Sequence, residues 1–276
     1  MYFPSIDSDQ WETISPDELN WDSGEIENLY EFLELNNTRA FVVLKDGKIV
    51  IENYWGNNIL NTAPFDRNSS WYWASAGKTL TALMVGIAQE DGLLSIEDSS
   101  AIYLGNGWTN LTAEQEGLIK IKHQLTMTTG LDYQVVNLNC TDPDCLSYKN
   151  TPGTNWFYHN ATYSLLKDVI ENATETSYNE FTNQKVKIKI GMGGSWIQLN
   201  NSDIYYSTAR DMARFGLLIL NEGVWDEDVI LNDTNYFSNM VNTSQEINKS
   251  YGYLWWLNGK DSLIPPGITI PIQASL

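Results

Sequence analysis

The stretch Ser75-Ala-Gly-Lys-Thr-Leu-Thr-Ala-Leu-Met-Val-Gly-Ile-Ala-Gln-Glu-Asp-Gly92 decides how the rest of the chain is read. Ala76 to Asp91 has the composition of a helix, and Gly92 ends it. Leu80, Ala82, Leu83, Met84, Val85 and Ile87 leave it almost no polar face. A helix that is apolar all round is buried in the middle of a domain. Lys78 is therefore out of place, because a buried charge is costly unless it is used. It follows Ser75 by three residues, and positions i and i+3 share a helix face. A buried lysine can lose its proton near neutral pH, and a serine hydroxyl needs a base to become a nucleophile. The structural alternative is a half-buried lysine paired with a carboxylate or carbonyl. The same spacing recurs at Ser164-Leu-Leu-Lys167, in a run patterned as an ordinary amphipathic helix with Lys167 on its wet side.

Working outward, Ile26, Leu29, Tyr30 and Leu33 recur at helical spacing after Asp22, with Glu25 three residues on as a capping box. Phe41 to Leu44 and Ile49 to Trp55 flank Lys45-Asp-Gly-Lys48, a strong hairpin signal. Residues 93 to about 250 read as helices and loops with little strand. Within them Ser207 is expected to cap an amphipathic helix. Met212, Phe215, Leu218 and Ile219 would face inward, and Arg210, Asp211 and Arg214 outward. Tyr251 to Leu257 returns to a strand-like composition. The expected fold is α+β: an antiparallel sheet flanked by helices, with a mainly helical insertion. Residues 1–95 would begin the α/β domain, 96–250 form the helical domain, and 251–276 return to the α/β domain.

Composition narrows the function. Thirty-five acidic and sixteen basic residues give a net charge of -19, which repels nucleic acid and anionic lipid. The longest apolar run, Ala82 to Ala88, is far short of the ~20 residues that cross a bilayer. Pro152-Gly-Thr-Asn-Trp-Phe-Tyr-His-Asn160 makes a turn and an aromatic run leading into a helix near Tyr163. Tyr158 alone would be a core tyrosine. Beside a lysine ammonium, its pKa is expected to fall below the usual ~10.

Together these stretches resemble the penicillin-binding-protein and serine β-lactamase superfamily. Within it they are most similar to the class C β-lactamase-related branch, with its esterases, D-aminopeptidases and 6-aminohexanoate-oligomer hydrolases. The landmarks run in order: Ser75–Lys78, Gly92-Leu-Leu-Ser-Ile-Glu-Asp98, Ile121-Lys-His-Gln-Leu-Thr-Met-Thr-Thr-Gly-Leu131, Pro152 to Asn160, Ser207-Thr-Ala-Arg-Asp-Met-Ala-Arg-Phe-Gly-Leu217 and Tyr251-Gly-Tyr-Leu-Trp-Trp256. The resemblance implies that Ser75 is acylated and that Lys78 helps take its proton. It implies Tyr158 as general base or relay, Asn160 as hydrogen-bond partner of Lys78 and substrate, and the Ser75 N–H as an oxyanion donor. Trp156, Trp255 and Trp256 would line the substrate pocket. The implied reaction is cleavage of an amide or ester in a small molecule or short peptide, without metal or cofactor. The family's third motif, Lys or His, then Ser or Thr, then Gly, does not follow Trp256. The chain is expected to be a C-terminally truncated piece, lacking the last strands and helix. A non-catalytic binding protein on the same fold, for peptidoglycan-like or peptide ligands, is the alternative. An aromatic sugar-binding surface is a more distant one.

Cys140 and Cys145 flank Thr-Asp-Pro-Asp, a turn that could bring them together, so a disulfide and two free thiols both stay open. Zinc is disfavoured, since only His123 and His159 could complete a site. His123 is expected to be a structural histidine, and His159 to point away from substrate. Met1 to Asp9 lacks the basic and apolar regions of an export signal. The chain is read as periplasmic or extracellular with its signal absent, or as cytoplasmic.

Overall fold

The computed structural model describes residues 1–260. Residues 261–276, the far part of the expected return to the α/β domain, lie outside the described residues. In chain order the elements are α1 (Ser23–Leu35), β1 (Ala40–Lys45), β2 (Lys48–Tyr54), β3 (Trp71–Tyr72), α2 (Gly77–Glu90), α3 (Ala101–Leu104), α4 (Ala113–Gly117) and α5 (Ile121–Leu125). Then come α6 (Asn160–Ser164), α7 (Leu166–Thr174), α8 (Tyr178–Thr182), α9 (Ile188–Ile190), β4 (Ser195–Leu199) and β5 (Ser202–Ser207). Last are α10 (Ala209–Leu220), β6 (Val224–Trp225), β7 (Asp228–Val229) and α11 (Thr234–Val241). The chain divides into two compact units. One holds 1–73, 183–197 and 205–230; of the described residues, the other holds 74–182, 198–204 and 231–260. The sequence reading set its first boundary near residue 95, whereas the units divide after Trp73.

In the first unit, Asp22 caps α1 by accepting from the N–H groups of Gly24 and Glu25 at 2.8 and 3.2 Å. The expected hairpin forms, with β1 antiparallel to β2. Its turn residues Asp46 and Gly47 take φ of +52° and +86°. Two left-handed residues match the twist of the flanking strands, and Asp-Gly supplies them cheaply. The expectation of little strand between 93 and 250 is corrected: β4 and β5 lie there and join β3 in a three-stranded sheet of order β3-β5-β4. The β-rich runs Ser195–Leu199 and Ser202–Ser207 are joined by a turn with Asn200 at φ +55°. Strands of five and six residues are too short for periodicity to stand out against neighbouring helices.

The reading of α10 is also corrected. Thr208, not Ser207, caps it in a capping box with Asp211. Met212 is exposed and Arg214 is buried. Arg214 can be buried because its guanidinium donates to the carbonyls of Ile190, Ser5 and Ser8 at 2.8, 2.9 and 3.1 Å. A cation that donates to several carbonyls escapes much of the burial cost. Arg210 instead makes a two-pronged pair with Glu52 at 2.6 and 2.7 Å.

The second unit is built around α2, which packs against α7 and α11. Leu80, Leu83 and Met84 on α2 are fully buried. The Tyr236 hydroxyl of α11 donates to the Ala82 carbonyl at 2.7 Å. A Cβ at Gly86 would run into the Tyr236 ring, which is itself fully buried. Gly86→Ala is therefore expected to destabilise the protein by about 1–3 kcal/mol, the usual cost of overpacking a core. Chemical denaturation of the two proteins side by side measures it, and an unchanged midpoint would contradict the packing described.

Tyr251 to Trp256 was expected to be a strand. It forms a tight turn instead, closed by the Gly252 N–H donating to the Trp255 carbonyl at 2.9 Å, with Leu254 at φ +60°. The Leu254 N–H donates to the Leu125 carbonyl and the Tyr253 N–H to the Met240 carbonyl, at 2.9 and 3.2 Å. Gly252 lets the turn press against the Met240 carbonyl, where any Cβ would clash. Local composition favoured a strand, and these tertiary hydrogen bonds overrode it.

Candidate active site

A short 3-10 turn, Ala74–Ala76, leads into α2 and carries Ser75. Ala74 sits at φ +47°, one residue before the serine. For a residue with a Cβ, that left-handed conformation costs roughly 1–2 kcal/mol. Strain of this kind concentrates where a side chain must be aimed. Ser75 is exposed, while Lys78 behind it is only 5% exposed. Lys78 Nζ donates to Ser75 Oγ at 3.3 Å.

Lys78 has no carboxylate partner among the described residues. Its ammonium faces the rings of Tyr163 and Tyr158, with centroids 4.3 and 5.1 Å away. Burial pulls its pKa from 10.5 down to about 8. The paired-lysine alternative is thereby set aside. Ring faces favour the charged form only modestly, far less than a carboxylate would.

Tyr158 stacks on Trp256 with centroids 5.6 Å apart and meets Tyr251 edge-on. Trp156 packs edge-on against Tyr251 and Trp256. Trp255 is half-buried in the same turn. The expectation of a lowered Tyr158 pKa is corrected: burial pushes it above its ordinary 10.0, against hydrogen bonds with Ser75 and Trp256 that pull it down. Lys78 meets the face of the ring, and desolvation of the phenolate is the largest influence on the hydroxyl. Lys78 is thus the group that titrates near neutrality, and Tyr158 stays protonated there.

Asn160 opens α6 beside Tyr158. Its Oδ1 is buried without a hydrogen-bond partner, and no bond joins it to Lys78, whose Nζ turns to Ser75 instead. A buried acceptor left open is rare and marks a place where a donor can arrive. The structure therefore brings Ser75, Lys78, Tyr158, Trp156 and Trp256 together, with Asn160 at the edge of the group.

The second Ser-x-x-Lys match differs. Ser164 Oγ is buried and unpartnered, and Lys167 pairs with Asp203 at 3.3 Å rather than lying on a wet face. His123 accepts from the Lys120 N–H through Nδ1 at 3.1 Å and so caps α5. His159 is buried, with Nε2 3.4 Å from the Asp132 carbonyl. Sequence reasoning missed Tyr163 and Tyr251 as walls around Lys78 and Tyr158. The one signal for Tyr163 is its place a helical turn after Asn160. Cys140 and Cys145 form a disulfide. Among the described residues no His, Cys, Asp and Glu cluster could hold a metal ion, and no helix is long and apolar enough to cross a membrane.

A family model described as Beta-lactamase matches residues 38–269. Penicillin-binding protein 4* of Bacillus subtilis (strain 168) is 29% identical over 184 residues, which is 60% of this chain and 39% of that protein. The match thus spans well under half the length of that relative. Among solved structures, a Bacillus anthracis protein described as a 6-aminohexanoate-dimer hydrolase superposes with a TM-score of 0.68 at 22% identity, over 83% of this chain and 67% of its own. A penicillin binding protein from Bacillus halodurans gives 0.65 at 18% identity, over 83% of both chains. At such identities the structural likeness concerns the fold.

Proposed function

The chain belongs to the beta-lactamase family, and on that premise we propose that it is a serine hydrolase that cleaves an amide or ester through an acyl-enzyme on Ser75. One observation carries the reading: an exposed serine hydroxyl is hydrogen-bonded to a buried lysine that has no carboxylate partner among the described residues. In its neutral form Lys78 accepts the Ser75 proton as Oγ bonds to the substrate carbonyl carbon. The negative charge moves to the carbonyl oxygen, where the Ser75 N–H in the turn that leads into α2 can meet it. Collapse of this adduct breaks the bond to the amine or alcohol. Tyr158 hands the leaving group its proton and is reprotonated from the Lys78 ammonium. Water then reverses the sequence and frees the acid. The open Asn160 Oδ1 would accept from a substrate N–H, and Trp156, Trp255 and Trp256 would flank the substrate. The disulfide supports a periplasmic or extracellular setting, since thiols stay reduced in the cytosol.

Incubating the full chain with a fluorescent phosphonate or a penicillin probe tests the proposal. A covalent adduct on the peptide that contains Ser75 is the expected result. A folded chain that reacts with neither probe favours the binding-protein alternative.

A further inference from the structure

The loop that leads up to Tyr158 contains the disulfide, and three contacts tie it to the candidate catalytic segment. Ala161, in the first turn of α6, donates its N–H to the Leu138 carbonyl at 2.9 Å. The Asp132 carbonyl lies 3.4 Å from His159 Nε2. Tyr133 stacks on Phe157 with centroids 4.1 Å apart. These contacts bracket residues 157–161 and so bracket Tyr158 and Asn160.

The Leu138 contact is the informative one. The first N–H groups of a helix have no partner within the helix. His159, the residue before α6, makes no side-chain cap. Ala161 is fully buried, so water cannot replace the Leu138 carbonyl. The stretch 137–140 is a small turn held by its own hydrogen bonds, Cys140 N–H to the Asn137 carbonyl and Asn139 N–H to Asn137 Oδ1. Nearby, Val136 is fully exposed. What fastens the turn covalently is the bond from Cys140 to Cys145. Cys145 precedes Leu146, which is fully buried in the same apolar cluster as Ala161 and Leu131. The path from core to site thus runs Leu146, Cys145, Cys140, the Leu138 carbonyl, the Ala161 N–H, and then Asn160 and Tyr158.

We propose that the Cys140–Cys145 disulfide is a positioning element for the Tyr158–Asn160 segment, so that acylation of Ser75 depends on the oxidation state of this loop. The inference rests on the acyl-enzyme reading for its effect on rate, though not for its effect on the loop. A dithiol reductant breaks the S–S bond, each sulfur takes up one proton, and the dithiol becomes its own disulfide. Both cysteines are half-buried, so the bond is within reach of such a reagent. The turn at 137–140 then loses its covalent anchor, the Ala161 N–H loses a steady acceptor, and Tyr158 is held less closely to Ser75. Small misplacements of catalytic groups are expensive, with about 1 Å costing as much as 10²-fold.

The test compares the oxidised chain, the dithiol-reduced chain and a Cys140→Ser, Cys145→Ser variant kept free of reductant. The first readout is hydrogen exchange. On reduction the Ala161 amide is expected to exchange at least about tenfold faster, while the fully buried Leu83 on α2 is unchanged. The second is the rate of probe acylation, expected to fall at least about tenfold and to recover on reoxidation. The third repeats the rate measurement in a Tyr158→Phe background, where reduction is expected to add little, because coupled groups are not additive. Equal slowing in both backgrounds would mean a general loss of stability and would overturn the positioning role. Unchanged exchange at Ala161 would overturn it whatever the rates do. If the oxidised chain never acylates, the hydrolase reading falls, and Ala161 exchange still decides the role of the disulfide.

Discussion

Ser75→Ala is expected to abolish covalent labelling by phosphonate or penicillin probes, and Ser164→Ala to leave it nearly unchanged. Both serines precede a lysine by three residues, so spacing cannot separate them. Their surroundings do. Ser75 is exposed, follows the strained Ala74, and accepts from Lys78 at 3.3 Å. Ser164 Oγ is buried away from solvent, and Lys167 is occupied by Asp203. Lys167 turns to Asp203 and makes no hydrogen bond with Ser164, so it is not placed to take that serine's proton. Removing the nucleophile leaves no atom to be acylated, so the loss should reach the detection limit. Intact-mass measurement after probe treatment, with thermal melts to confirm folding, reads both variants. Equal labelling of the two would remove Ser75 from its assigned role.

The acylation rate is expected to rise with pH and level off above about 8, the value to which burial lowers Lys78. The sign follows from the chemistry. Only the neutral amine can accept the serine proton, and it becomes the minor form as pH falls through the lysine pKa. At two pH units below the midpoint the neutral fraction is roughly 1%, so the rate should fall about 100-fold. Lys78→Ala should lower the plateau by at least about 10²–10⁴ and remove the titration with it. Tyr158→Phe should also lower the rate by about 10²–10⁴ but keep a midpoint near that of the parent, because a protonated tyrosine donates without titrating in this range. Rate against pH for the three proteins distinguishes these roles. A Tyr158→Phe variant with an unchanged rate would mean that Lys78 works alone.

The pH expectation reverses the sequence reading of the tyrosine, and the reason is physical. From the sequence, a tyrosine near a lysine suggests attraction between phenolate and ammonium. In the fold both groups are buried among aromatic rings, and desolvation acts on each separately. It lowers the lysine and raises the tyrosine, which is why the proposed mechanism gives the acceptor role to Lys78.

Parts of both units were legible because their signals are local. The all-apolar run after Ser75 announced a buried helix, and a serine and lysine one turn apart announced a possible reactive pair. Asp22 announced the start of α1, and Asp46-Gly47 the hairpin, since caps and left-handed turns depend on the residues that make them. The disulfide was legible only as a possibility, because closing a short loop depends on what pins its two ends.

What only the tertiary structure decided is set by contacts distant in sequence. Arg214 looked like a surface residue until carbonyls from the N-terminal segment and from Ile190 accepted from its guanidinium. Tyr251 to Trp256 looked like a strand until Leu125 and Met240 took its N–H groups. Tyr163 had no visible role until α6 set its ring 4.3 Å from Lys78. Secondary structure and motif spacing follow from neighbours along the chain, so the sequence alone determined the helix, the hairpin and the Ser75–Lys78 pair. Burial, ring packing and proton affinity follow from neighbours in space, and for Lys78 and Tyr158 burial shifts the two groups in opposite directions.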